Sequence, residues 1–225
     1  MIFTDSAVVL YRQPFRESDR IVSLYTRTHG RLNARLPGVA RPSGKLKAMG
    51  EPLTLAELRF YVKRGGVLAT VTGGKIHHVF PAVRADLKRT HLALHCCELL
   101  LRLTPLHQVS PAKFELITTA LTELEYGDPT PAFAAAFTLR LMMLAGFGLD
   151  HPVLQISPAF WQRMHEDKFS NLVFEDPQDL IYLAKCNNVV RRFLDRYLTY
   201  PLNTVRPLGL EDTLEVSPVL EPAAL

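Results

Sequence analysis

The chain has 225 residues, 48% of them hydrophobic and 21% charged, with a formal net charge of +4; this is the make-up of a globular protein with enough chain for one or two cores. The opening Met-Ile-Phe-Thr-Asp-Ser has no basic segment ahead of an apolar one, so no signal peptide is expected, and no apolar run reaches the ~18 residues that a bilayer span needs. Cys96, Cys97 and Cys186 are an odd count with an adjacent pair, a poor disulfide framework that points to a reducing cytoplasm.

Residues 1–80 read as strands. Ala7–Tyr11 and Ile21–Thr26 are short, apolar and β-branched, and His29-Gly30 offers a turn. Arg31–Leu36 alternates polar and apolar, the period of a half-buried strand. Pro37-Gly38 and Arg41-Pro-Ser-Gly44 punctuate a loop. Leu53–Val62 is a longer strand, and Val67–Thr72 follows the Gly65-Gly66 turn. Five short strands with glycine turns predict a small closed barrel, of which the OB-fold is the five-stranded form used for nucleic acids.

Pro81 marks a change of period. Val83–Leu103 has helical spacing, and Ser110-Pro111 pairs an N-cap with proline at the first helical position, opening a helix to Tyr126. Ala132–Ala145 is apolar on nearly every side and is expected at the centre. Asp176-Pro177 opens a last helix to Tyr197, and Gly146–Glu175 reads as irregular. The segment from Leu208 holds Glu211, Asp212, Glu215 and Glu221 with no base, and its composition predicts disorder. The expected class is therefore α+β: a barrel over 1–80, a helical domain over 81–208, and an acidic tail over 209–225.

Charge divides the chain in the same way. Residues 1–80 hold 13 Lys/Arg against 5 Asp/Glu, whereas residues 81–225 hold 13 against 17; a basic part joined to an acidic one suggests a nucleic-acid-binding unit attached to something else. From Arg20 to Gly50 there are seven bases, Arg20, Arg27, Arg31, Arg35, Arg41, Lys45 and Lys47, and no acid. Arg31, Asn33 and Arg35 alternate with Leu32, Ala34 and Leu36, so one strand face is basic while the other enters the core. A row of cations suits a phosphate backbone, whose condensed counterions it releases. Tyr25, Phe60 and Tyr61 are the candidate stacking surfaces for unpaired bases; the bland alternative is a solvated barrel face over core aromatics.

Enzyme signatures are weak. His77-His78 would face opposite sides of a strand, and His91 and His95, though suitably spaced on a helix for a metal, have only Glu98 to complete a set. Cys96-Cys97 reads as helix packing. No phosphate-cradling glycine loop, serine elbow or carboxylate pair stands out, so neither cofactor nor catalytic residue is expected.

Six segments carry a resemblance: Glu17–Leu32, the Gly38-Val-Ala-Arg-Pro42 loop with Lys45-Leu-Lys47, Glu51–Leu58, Phe80–Leu87, Phe137–Phe147 and Arg191–Leu198. In this order and spacing, up to about Leu208, they resemble the bacterial RecO family of DNA repair proteins. The resemblance implies an N-terminal OB domain, a helical domain and no catalysis. It further implies binding of single- and double-stranded DNA and annealing of complementary strands. The implied partners are RecR and the acidic C-terminal tail of the single-stranded DNA-binding protein, SSB, with indirect help to RecA in loading onto SSB-coated DNA; the setting is the cytoplasmic nucleoid.

For that acidic tail the expected pocket lies along the most apolar helix, Phe137–Phe147, with its only charge, Arg140. Two departures from the family pattern stand out. Many relatives carry a four-cysteine zinc module where this chain has Asp150–Phe174, which contains no cysteine, so no zinc is expected, although His151 and His165 remain. Pro37 occupies a place where the family tends to have lysine. The residues also leave open an interaction adaptor whose barrel binds no DNA and, more distantly, a metal hydrolase built on the histidines.

Overall fold

Alternation of apolar and polar residues curls the first part of the chain into a closed barrel. In this computed structural model, which describes residues 1–39, 46–66, 68–147 and 154–204, strands β1 (Ile2–Phe15), β2 (Asp19–Thr26), β3 (Gly30–Leu36), β4 (Leu55–Tyr61) and β5 (Ala69–His78) close in the order β1-β2-β3-β5-β4. Neighbours are antiparallel except β3 and β5, which run parallel through Ala34↔Ala69 and Arg35↔Thr70. Val22, Leu24, Leu32, Ala34, Leu36, Leu58, Phe60 and Val71 fill the interior. β1 is longer than expected because it serves two neighbours, β4 along Ile2–Val8 and β2 along Ala7–Phe15. β5 likewise runs on through Gly73-Gly74 to His78. At Gly74 a β-carbon would sit 2.3 Å from the Glu57 carbonyl oxygen, so only glycine lets the two strands approach there.

The helical part follows: α1 (Pro81–Ala85), α2 (Leu87–Leu103), α3 (Pro111–Tyr126), α4 (Phe133–Leu144), α5 (Pro158–Glu166) and α6 (Pro177–Tyr197). The fold class is α+β, a five-stranded OB-type barrel followed by helices, as the sequence predicts. The expected single helix over 83–103 is broken at Asp86, whose extended backbone ends α1 and whose carboxylate accepts from the Arg89 N–H to open α2. Ser110 caps α3 and Asp176 caps α6, each followed by proline at the first helical position. The stretch expected to be irregular contains α5, capped by Ser157 ahead of Pro158. The segment expected to be a disordered tail lies outside the described residues.

A second core unites the two parts. Its buried residues come from all the helices and also from the outer side of the barrel: Val8, Leu10, Tyr25 and Leu53. Polar ties reinforce it. Arg84 donates to the carbonyls of Pro52 and Leu53, and the buried Glu125 carboxylate on α3 accepts from the Ala82 and Val83 N–H groups at 3.1 Å each, satisfying the first turn of α1.

Candidate nucleic-acid interface

The outer face of β1–β2–β3 carries Arg31 and Arg35, the bases of the run that lie on β3. The β2–β3 hairpin is fixed by the buried Asp5, whose Oδ2 accepts from Thr28 N (3.0 Å), Thr28 Oγ1 (2.8 Å) and His29 N (3.2 Å) and lies 2.8 Å from His29 Nδ1. Burial pushes the Asp5 pKa up, but these donors outweigh it and hold the carboxyl below its ordinary value. Cross-strand register then lays out the face in rows: Tyr11–Ser23–Asn33, and Gln13–Ile21–Arg35. Ser23 Oγ donates to Asn33 Oδ1 at 2.8 Å.

The helices cover one end of this face and leave the other open. At the covered end Arg31 turns its guanidinium onto the Leu101 carbonyl near the end of α2, and its Nε is buried without a partner among the described residues. Its backbone carbonyl also accepts from His107 N at 2.7 Å. Tyr25 requires a correction: it is 0% exposed, with its hydroxyl directed at the Gln108 and Ser110 carbonyls at 3.4 and 3.3 Å. It is part of the shared core and has no face for a base. Phe60 is likewise interior.

At the open end Arg35 lies 3.8 Å from Asp19, while Asp19 also accepts from Gly38 N. Arg20 is half-exposed and pairs in register with Leu36. Lys47 is exposed just ahead of the 3-10 turn Ala48–Gly50. Arg27 is exposed beside the hairpin, 3.5 Å from Glu115. Arg41 and Lys45 lie outside the described residues. Tyr61 is 44% exposed, but on β4 between β1 and β5, in line with the exposed Arg59; it belongs to a different side of the barrel.

The aromatic that does present itself on β1–β2–β3 is Tyr11, 51% exposed. Val9 pairs with Leu24 and Tyr11 with Ser23, so β1 gains a residue at a bulge between them. Strict alternation from the inward Val9 would turn Tyr11 inward as well; the bulge flips it out and sends Leu10 into the shared core. Nothing in the local sequence announces that shift.

Elsewhere, Arg140 is half-buried at α4. Its Nε donates to the Met164 carbonyl (2.9 Å) and its Nη2 to that of Asp167 (2.5 Å), and its guanidinium carbon lies 4.3 Å from the centre of the Phe169 ring. His95 is buried, 3.0 Å from Thr204 Oγ1, and desolvation brings its pKa down to about 4. No group of three His, Cys, Asp or Glu residues is arranged to hold a metal among the described residues; His151 lies outside them. His165 sets Nδ1 against the Trp161 carbonyl at 2.9 Å. No helix among the described residues is long and apolar enough to cross a membrane.

Comparison with known proteins places this architecture. Residues 1–80 match the model for the recombination protein O N-terminal domain, and residues 84–151 that for its C-terminal domain. The DNA repair protein RecO of Desulforudis audaxviator is 31% identical over 233 residues, covering 97% of this chain and 89% of that protein. The chain belongs to the RecO family. The RecO proteins of Geobacter metallireducens and Pelotomaculum thermopropionicum are 31% and 33% identical over 64% and 65% of this chain. Those matches span 59% and 56% of the relatives, little more than half their length.

The residues of 154–174 do not fit the four-cysteine zinc module that the resemblance implies for many relatives. Over 154–174 the chain offers no thiolate. It offers instead the buried Phe160, Met164, Phe169 and Leu172, packed into the helical core.

Proposed function

We propose that this protein is a DNA repair and recombination mediator. Its barrel holds the backbone of single- and double-stranded DNA and brings complementary strands together for annealing. The observation that carries this reading is the open end of the β1–β2–β3 face, where the exposed Tyr11 shares a ladder with Ser23 and Asn33, one row from Arg35; Arg20, at the start of β2, and Lys47 would add cations from the barrel rim. Cations there neutralise phosphates and release counterions, and an exposed ring stacks on a base of either strand without reading its sequence. Annealing needs no catalytic group: a common cationic surface lowers the repulsion between strands, and loose contacts let bases search for pairs. Family membership supports the rest of the reading: RecR and the acidic C-terminal tail of SSB as partners, and RecA loaded indirectly onto SSB-coated DNA.

For the tail we assign the neighbourhood of Arg140, whose Nη1 makes no hydrogen bond among the described residues. Arg41 and Lys45 extend the proposed DNA path, and Tyr61 with Arg59 would form a separate contact. The test is an annealing assay with purified protein on complementary oligonucleotides, bare and coated with SSB that carries or lacks its tail. Acceleration that fades with salt, and that on coated strands needs the tail, is the expected result. A protein that binds RecR but no oligonucleotide at low salt would be an adaptor instead.

A further inference from the structure

A second basic surface lies far along the chain, in the part whose overall balance is acidic. The last turns of α6 and the residues after it read Arg191-Arg-Phe-Leu-Asp-Arg-Tyr-Leu-Thr-Tyr200. Phe193 enters the core, while Arg191, Arg192 and Arg196 are exposed. Arg191 is bonded only to the Asn188 side-chain oxygen, at 3.2 Å, and Arg192 and Arg196 make no ion pair or hydrogen bond among the described residues. Arg192 and Arg196 are one turn apart, on the same side of the helix and about 6 Å along its axis. The helix C-terminus favours a cation in its final turn; that accounts for Arg196, not for three arginines against the single acid Asp195.

Two aromatics stand at the same end. Tyr197 packs at a tilt against Phe193 and Phe147, with ring centres 4.6 and 4.9 Å away, yet remains half-exposed. Tyr200 is 67% exposed on a backbone hydrogen-bonded to α2. Arg102 donates to the carbonyls of Tyr200 and Pro201 at 3.3 and 3.2 Å. Two residues on, the Glu98 carboxylate accepts from Asn203 N (3.0 Å), Asn203 Nδ2 (3.1 Å), Thr204 N (3.1 Å) and Thr204 Oγ1 (2.8 Å). A large ring held out to solvent on a segment bonded to α2, four residues after Arg196, which makes no ion pair among the described residues, has the composition of a stacking platform with its electrostatic guide.

We propose that the C-terminal end of α6, with Arg191, Arg192, Arg196 and Tyr200, is a second contact site for single-stranded nucleic acid, separate from the barrel face. This rests on the reading of the protein as a DNA-binding mediator and adds to it: one strand lies on the barrel and the other on the helices. The cations bind phosphate, and Tyr200 stacks on an unpaired base.

The test titrates the full chain with fluorescent oligothymidylate over a range of salt, and measures annealing of mixed-sequence complementary strands. R192A/R196A should weaken oligothymidylate binding about tenfold at low salt and flatten the log affinity against log salt slope by about 1.4, and should slow annealing. R192K/R196K should keep most of the affinity. Tyr200→Ala should lose about tenfold and Tyr200→Phe almost nothing. Wild-type affinity in R192A/R196A would overturn this site while leaving the barrel reading in place. Equal loss in the alanine and lysine variants would also overturn it, by pointing to packing. Loss of binding to an acidic peptide, with oligothymidylate binding intact, would make the surface a protein contact. A wild-type protein that binds no oligothymidylate would overturn the functional reading itself.

Discussion

Arg31 and Arg35 share one face of β3, and their surroundings give them different work. Arg31 is committed to the Leu101 carbonyl and to the joint between barrel and helices, whereas Arg35 sits at the open end, where its one ion pair among the described residues is a 3.8 Å contact to Asp19, though its Nε too is buried. Arg31→Ala should therefore cost about 1.5–3 kcal/mol of stability, the range for hydrogen bonds to a charged group, while Arg35→Ala should lower the melting temperature less. Paired thermal melts and oligonucleotide titrations check both; loss of DNA affinity without loss of stability in Arg31→Ala would contradict this assignment. His95 gives a pH signature. Its folded pKa of about 4 lies below the ordinary 6.5, so between those values the unfolded chain binds the extra proton. Stability should fall as pH drops from about 6.5 toward 4, by on the order of 3 kcal/mol at most. Burial lowers the pKa of His165 as well, adding the same sign. Urea unfolding at pH 7, 5.5 and 4 measures the slope, and His95→Gln should flatten it.

The β2–β3 hairpin shows how an element is constrained from outside itself. Gly30 has φ +68°, and a β-carbon there would lie 2.1 Å from the Gln108 carbonyl oxygen. The turn alone asks for glycine; the helical part, packed against it, leaves no room for anything else. Gly30→Ala should destabilise by about 3 kcal/mol or more, as backbone strain and collision combine, and differential scanning calorimetry would show it as a large fall in melting temperature. Arg140 plays a comparable part between α4 and α5, holding the Met164 and Asp167 carbonyls where α5 ends. Arg140→Ala should loosen α5 and the Phe169 ring beneath the guanidinium, read as faster amide exchange over 158–169. Unchanged exchange there would show those bonds to be dispensable, freeing the whole side chain for an acidic partner.

For the molecule as a whole, the barrel and the helices share a core, so neither is free to act as an independent bead. A fragment of residues 1–80 would expose Val8, Leu10 and Tyr25, which the helices now cover. It should bind a hydrophobic dye and melt well below the full chain; a fragment as stable as its parent would show that the shared core adds little. On the open face, Tyr11→Ala with Arg35→Ala should weaken oligonucleotide binding by roughly 2–3 kcal/mol at low salt, one stacked base plus one phosphate contact. The arginine share should shrink as salt rises, because the Debye length falls. A double variant with wild-type affinity at 50 mM salt or below would move the DNA path elsewhere on the barrel.

Local chemistry by itself determined a large part of this protein. Alternation in Arg31–Leu36 specified which face of β3 is basic, since side chains on a strand change sides at every residue. Ser110-Pro111 and Asp176-Pro177 specified two helix starts, because a capping oxygen and a proline with no N–H suit those positions. Ser157-Pro158 carried the same signal for α5, with Phe160 and Met164 one turn apart on its buried side; a helix of nine residues shows too few turns of that period to stand out. What tertiary structure decided were the properties that depend on a neighbour distant in sequence. The helices packed on the barrel buried Tyr25, and the bulge in β1 turned Tyr11 outward instead, because pairing with β2 sets the phase of the strand. The packing of α2 and α3 against the barrel turned Arg31 from a surface cation into a structural one, because the Leu101 carbonyl is brought to it across 70 residues of chain. Charge count and period are local quantities; exposure belongs to the folded surface, and only the complete fold assigns it.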